Sequence, residues 1–318
     1  MKRNIIICSV LAIALMLVPL LVMKGKADDK PEDTVKQVSD DGYISVMKAE
    51  NGKVLELDNK EYLIGVLAAE ADMSHHEEAL KAQVVASYTY ALYIKSNSQT
   101  EELNGADISD DAETHQGYLS LEERKDKWGD KFEEYEKKAG KIVDSVKNRK
   151  ICYNGFPILA VYHNLNSGKT QSALTVWKED IPYLCSKESA GDKLSGEYID
   201  IVSLEYSEFK RLIEKVDGVT LSDDESEWIG QLQREDDGYV KYIEICGNDV
   251  SSQDFRTALN LKSCVFEIEN SGDGVLEIST YGNGHMVGMS QYGADYMARQ
   301  GSDYQEILQY YYTDVEIQ

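Results

Sequence analysis

Basic charge is scarce in this chain. Lys and Arg total 33 against 57 Asp and Glu, a formal net charge of −24 over 318 residues. Such a surface repels phosphate backbones and anionic headgroups, which argues against nucleic acid as a partner. Phenylalanine is rare, at 5, whereas tyrosine reaches 21. Tyrosine stacks on sugar rings and hydrogen-bonds their hydroxyls, but it is also an ordinary core residue. The four cysteines beyond the N-terminal run, Cys152, Cys185, Cys246 and Cys264, show no CxxC spacing. They allow up to two disulfides in three connectivities, or buried free thiols. The five histidines (His75, His76, His115, His163, His285) lack the i,i+4 spacing of a zinc helix, so no metal and no other cofactor is expected. Internal repeats, low-complexity tracts and a GxxxxGK[ST] loop are all missing.

One long apolar run is present. Ile5 to Met23 carries no charge and is bracketed by Lys2, Arg3, Lys24 and Lys26. Its length suits a single transmembrane helix, with a signal cleaved near Ala27 as the alternative. Lys2 and Arg3 favour a cytoplasmic N-terminus, which puts the rest of the chain outside the membrane. The expected organisation is therefore an anchor over residues 1–27, a polar stalk over 28–41 and an ectodomain over 42–318. The localisation expected is the cell membrane, single-pass, with the ectodomain extracytoplasmic.

Within the ectodomain, Ile44-Ser45-Val46 and Val54-Leu55-Glu56-Leu57 flank Glu50-Asn51-Gly52, a hairpin signal. Helical spacing runs from Tyr62 to Glu70. Ser74 with Glu77 reads as a capping box for a second helix striped by Leu80, Val84, Tyr88 and Leu92. Leu121 to Val146 is an amphipathic helical stretch. Ile158 to His163 reads as a buried strand, Tyr239–Cys246 as a strand that alternates, and Cys264–Ile268 and Val275–Tyr281 as two more. A helix is expected over Ser207–Val216 and a helical tail over Ser290–Tyr312. The fold class expected is α+β, a single compact ectodomain with helical insertions.

Two segments carry chemistry. Glu70 ends an apolar run (Leu67, Ala68, Ala69), where burial would raise its proton affinity and suit it to donate a proton. A solvated helix-end glutamate is the plainer alternative. Gly282-Asn283-Gly284-His285-Met286-Val287-Gly288 is a glycine-spaced loop running into a helix, a way to bring backbone close to a ligand. His285 there is either a polar contact or an ordinary loop histidine. Tyr162 to Thr170 leaves a strand with clustered polar side chains, leading to Pro182-Tyr183-Leu184.

Val66 to Leu92, Tyr162 to Thr170, Pro182-Tyr183-Leu184 and Gly284 to Tyr312 together resemble the hallmarks of the SpoIID/LytB domain family. The order is kept from about Tyr43 to Gln318, and Asp254-Phe255-Arg256 resembles a further family segment. The resemblance implies a lytic transglycosylase of peptidoglycan that cuts the MurNAc-GlcNAc β-1,4 bond of peptide-stripped glycan strands. The product would carry 1,6-anhydroMurNAc ends, made in septal wall remodelling during sporulation engulfment. It implies Glu70 as the acid/base, and Lys81, Tyr183, Tyr292 and His285 as substrate contacts. Implied partners are denuded glycan, a SpoIIP-like amidase and a SpoIIM-like membrane protein. The alternative is a non-catalytic wall-binding module that localises or stimulates an amidase. Three positions depart from the family pattern. Tyr88 replaces an arginine and Met286 a glycine. The stretch Thr114-His115-Gln116-Gly117-Tyr118 keeps only His115 of a zinc set seen in some relatives.

Overall fold

The computed structural model describes residues 41–97, 102–112, 114–272 and 274–318. The expected anchor and all of the stalk but Asp41 lie outside them. No described helix is long and apolar enough to cross a membrane. The described structure is mixed α and β, with several small sheets.

The described chain divides into two compact units. Of the described residues, the first holds those up to Tyr162, then Ala173–Cys185 and Ala294–Gln318; the second holds His163–Ser172 and Ser186–Gly293. The chain crosses between them at ordinary polar or apolar pairs such as Tyr162-His163 and Cys185-Ser186, with no Pro/Gly-rich linker to mark the change.

In the first unit, β1 (Tyr43–Met47) and β2 (Val54–Asp58) form the expected hairpin, pairing Ile44 with Leu57 and Val46 with Leu55. Gly52 takes φ 71° in the turn, a conformation glycine adopts without a Cβ penalty. Asp58 ends β2 and caps α1 (Asn59–Glu70), accepting from the Lys60 and Glu61 amides. The next helix, α2 (Glu77–Asn97), starts later than the Ser74 capping box implies. The Ser74 amide instead donates to Asp72 Oδ1, and the His76 ring accepts from the Glu78 amide. The stripe Leu80, Val84, Tyr88 and Leu92 is buried, but so are Ala82, Val85, Ala86 and Ala91. The helix is enclosed on several sides because it packs against α1, a long helix of the 121–146 stretch and the C-terminal helix Tyr304–Tyr311.

The amphipathic stretch is two helices, α3 (Leu121–Trp128) and α4 (Phe132–Ser145), broken where Gly129 takes φ 50°. The expected strand over Ile158–His163 is extended only at Tyr162–His163; Ile158, Leu159 and Ala160 are buried without a regular ladder. Apolar continuity reported burial there, not pairing. Likewise the tail is two helices, because Gly301 (φ 105°) ends one and the Asp303/Glu306 capping box starts the next.

Gly65 on α1 shows how closely the loop 115–119 seats against that helix. A Cβ there would lie 2.3 Å from the Tyr118 ring and 2.6 Å from the Leu119 carbonyl. The Leu119 amide donates to the Gly65 carbonyl at 3.1 Å. Gly65→Ala is therefore expected to destabilise by about 1–3 kcal/mol by overpacking, outweighing its better helix propensity of about 1 kcal/mol. A thermal melt checks this; an unchanged or raised Tm would mean the loop is free to move away.

In the second unit, β3 (Ile199–Glu205), β7 (Phe266–Gly272) and β8 (Val275–Tyr281) form an antiparallel sheet in the order β7-β8-β3. A second sheet holds β4 (Ile229–Arg234), β5 (Val240–Ile245) and β6 (Asn248–Ser251). Helices α5 (Tyr206–Ile213) and α6 (Ser252–Leu259) join them around Phe209, Phe255, Phe266, Ile243 and Ile278. Phe255 stacks 5.2 Å from Phe266, and each such ring contributes about 1.5–3 kcal/mol by burial. This core sets the end of β8, from which the glycine loop leaves.

All four described cysteines are free thiols; Cys152 and Cys264 are buried and Cys185 is exposed. Among the described residues no group of His, Cys, Asp or Glu is arranged to hold a metal ion.

Candidate functional site

Glu70 is the last residue of α1, and Ala71 already has extended backbone. The Ala71 amide closes the last helical turn on Leu67. The apolar residues before Glu70 are why the helix end is packed: Val66, Leu67 and Ala68 are almost fully buried. Burial pushes the Glu70 carboxyl above the ordinary glutamate range, while the Gly117 amide and the Lys127 ammonium pull it back part of the way. The Gly117 N–H donates to Glu70 Oε1 at 2.5 Å. A glycine eases this approach: a Cβ at 117 would sit 3.0 Å from Ala69 Cβ and 3.1 Å from Glu70 Oε1, so its neighbours would have to give by a few tenths of an ångström. Lys127 Nζ donates to the Ala68 and Ala69 carbonyls at 2.7 and 3.2 Å, capping the negative end of the helix.

Three phenols, Tyr62, Tyr90 and Tyr162, lie close enough to this carboxyl to feel its charge. Burial, and then the Glu70 charge, push the Tyr90 and Tyr162 hydroxyls well above the ordinary tyrosine range. Tyr62 shifts the same way, chiefly by burial. All three stay neutral near pH 7. Burial holds His115 down to about 4, so it is neutral as well. Glu70 is thus a buried carboxyl close to neutral phenols and to one ammonium, that of Lys127.

The nearest second carboxylate in sequence, Asp72, has the opposite character. Its Oδ1 accepts from the Ser74 amide at 2.8 Å, which lowers its pKa, so it remains ionised.

Lys81 sits on the first turns of α2, with its Nζ 2.8 Å from Glu78 Oε1 and 3.0 Å from Glu77 Oε1. Glu78 also accepts from the Tyr304 amide, so this cluster ties α2 to the C-terminal helix. Tyr183 belongs to the same unit; its hydroxyl accepts from the Leu159 amide at 3.1 Å and its ring lies 5.5 Å from Tyr153. Both side chains are engaged within the protein. Tyr88, at the position of the family arginine, is buried and accepts from Asn59 Nδ2 at 3.2 Å.

The glycine loop belongs to the second unit. His285 Nδ1 accepts from the Val287 amide at 3.0 Å, and its ring meets His163 edge-on at 5.9 Å. Burial holds His163 down to about 3. The loop is fixed to residues 163–172 by the Asn283 amide on the Leu165 carbonyl and the Gln171 amide on the Met286 carbonyl. Tyr292 follows, its amide on the Asn164 carbonyl at 3.2 Å. A Cβ at Gly282 would lie 2.7 Å from the Asn166 carbonyl carbon, so the glycine there permits a real close approach.

Met286 stands at φ 61°, left-handed backbone that suits the glycine of the family pattern. Reverting it is nevertheless expected to cost stability. Relief of strain is worth about 1–2 kcal/mol, but the Met286 side chain is buried and its removal costs about 2–5 kcal/mol. Met286→Gly should lower Tm; a higher Tm would show that strain dominates.

Gln116, Tyr62, Tyr90 and Lys127 carry no signal in the sequence as partners of Glu70. Lys127 lies in a densely charged stretch that reads as solvated surface. Tyr62 sits two helical turns before Glu70 on α1, a spacing that gives only a shared face.

A family model described as SpoIID, stage II sporulation protein, matches residues 47–153. The segment contains Glu70 and Gly117. Stage II sporulation protein D of Bacillus subtilis (strain 168) is 33% identical, the match covering 100% of this chain and 96% of that protein. Stage II sporulation protein D of Bacillus amyloliquefaciens is 34% identical over 86% of this chain and 78% of its own length. A more distant relative, named amidase enhancer, from Bacillus subtilis (strain 168) is 26% identical over 79% of this chain and 39% of that protein. At this identity and coverage, the chain belongs to the SpoIID family of stage II sporulation proteins, with a sporulation-related role at the cell wall.

Proposed function

We propose that the chain is a peptidoglycan lytic transglycosylase whose acid and base are one group, the Glu70 carboxyl. The observation that carries this reading is a carboxyl at the buried end of α1, raised in pKa and held by a backbone amide. Protonated, Glu70 donates to the glycosidic oxygen and the bond from the muramyl anomeric carbon to that oxygen breaks. The resulting carboxylate takes the proton of the muramyl 6-hydroxyl as that oxygen closes on the anomeric carbon. The proton lost in the first half returns in the second, no water is consumed, and a 1,6-anhydro end forms. A second carboxylate to activate water is not needed. Burial of the carboxyl is what favours its protonated form at the start of the cycle.

The substrate proposed is glycan already stripped of stem peptides, with a SpoIIP-like amidase supplying it and a SpoIIM-like membrane protein as a further partner. The Ile5–Met23 segment would hold the chain at the membrane with the ectodomain outside. A second reading is a wall-binding module that stimulates an amidase. The amidase-enhancer relative and the buried Tyr88 in place of arginine favour it. Incubating the purified full chain with denuded glycan, with no amidase added, separates the two. Soluble glycan fragments support the enzyme; release of fragments only from peptide-bearing wall and only with an amidase supports the module.

A further inference from the structure

The peptide that holds Glu70 belongs to a stretch, residues 114–119, with no regular structure of its own. Something must fix that loop to a fraction of an ångström for its amide to sit 2.5 Å from a carboxylate oxygen. We infer that Gln116 is the positioning residue for the proposed acid, acting through the Gly117 amide. This rests on the reading of Glu70 as the functional carboxyl.

Gln116 is buried, and its carboxamide is tied at both ends to three separate elements. Nε2 donates to the Tyr62 hydroxyl on α1 at 2.5 Å and to the Ser87 carbonyl on α2 at 3.1 Å. Oε1 accepts from the Tyr162 hydroxyl at 2.9 Å. The Ser87 carbonyl can only accept, so the amide group facing it must be the NH₂ end, which fixes the orientation. The next peptide unit carries the Gly117 N–H. Two residues further on, the Leu119 amide is held by the Gly65 carbonyl at 3.1 Å. The donor to Glu70 is therefore clamped on both sides, by a side chain before it and by a backbone bond after it. The same amide also links the acid to the phenols. Tyr62 and Tyr162 both feel the Glu70 charge, and both are partners of Gln116.

The test is a direct titration of the Glu70 carboxyl in the full chain, by carbon NMR of glutamate labelled at the carboxyl carbon. The Glu70→Gln spectrum supplies the assignment. Gln116→Met keeps the length and removes all three bonds. Tyr162→Phe removes only the bond to Oε1 and leaves the space filled. Ile243→Val, in the core of the second unit, serves as a variant that lowers stability without touching the loop.

With Gln116→Met the Gly117 amide is expected to lose its grip on the carboxylate, and the Glu70 midpoint rises by about one pH unit. Tyr162→Phe gives a smaller rise of the same sign, and Ile243→Val gives none. An unchanged Glu70 midpoint in Gln116→Met, or in Tyr162→Phe where the first does not fold, overturns the inference and leaves Gln116 a packing residue. The NMR midpoint does not depend on turnover. A fully active Glu70→Gln enzyme would remove the proposed function while the titration still decides the role of Gln116.

Discussion

Glu70→Gln is expected to lower release of anhydromuramyl fragments from denuded glycan by about two to four orders of magnitude. Glycan binding should be retained. Glutamine keeps the shape and can still accept from the Gly117 amide, but it has no proton to give and no charge to take one back. The pH profile follows from the direction of the Glu70 shift. The group must be protonated at the start of the cycle, so activity falls as pH rises through its raised value. The same shift acts on stability with a definite sign. A carboxyl whose folded value lies above its unfolded value contributes stability at pH below the unfolded value. That contribution is lost as pH climbs through the folded one. Glu70→Gln should therefore be less sensitive than wild type to alkali over that window. Equal turnover by the variant would remove Glu70 from the chemistry.

Arg124→Met is expected to be the most damaging change to the frame of the site. Arg124 is fully buried on α3 and is the hub of two ion pairs. Nη1 and Nη2 reach Glu61 on α1 at 2.9 and 3.3 Å, and Nε and Nη2 reach Glu136 on α4 at 3.0 and 2.9 Å. A third contact, Nη1 to the Leu119 carbonyl at 3.0 Å, holds the loop just beyond Gly117. Methionine fills much of the volume and satisfies none of these acceptors. Both glutamates are partly exposed and regain water, which trims the loss. A cost of about 2–4 kcal/mol remains, corresponding to a Tm drop of roughly 10 °C. Because the Leu119 carbonyl is released as well, the Glu70 midpoint should move in the variant that still folds. A Tm within a degree or two of wild type would show that Arg124 is dispensable.

The burial of Glu70 at a helix end is legible because helix ends and apolar runs are local properties. Leu67-Ala68-Ala69-Glu70 states both the burial and the position of the charge. The hairpin around Asn51-Gly52 and strand Val275–Tyr281 were equally plain, since turn residues and period-two alternation act over a few positions. Ser74 is not a cap because Asp72 takes both its amide and its hydroxyl, a competition that spacing does not reveal. A genuine capping box, Ser120 with Glu123, lay unnoticed ahead of α3. Gln116 and Gly117 were hidden for a different reason. Gly117 meets Glu70 across 47 residues of sequence, and it lies with Gln116 in a loop without periodicity. Lys81 and Tyr183, read as substrate contacts through the family resemblance, sit in internal ion pairs and hydrogen bonds that the sequence did not announce.

The most direct measurement is the mass of the glycan ends released by the full chain from peptide-free strands. Intramolecular attack by the muramyl 6-hydroxyl predicts fragments one water lighter than ordinary reducing ends. Ends carrying that water, produced at the same rate, would mean that a hydrolytic route and a second activating group operate, contradicting a single buried acid that serves both halves of the reaction.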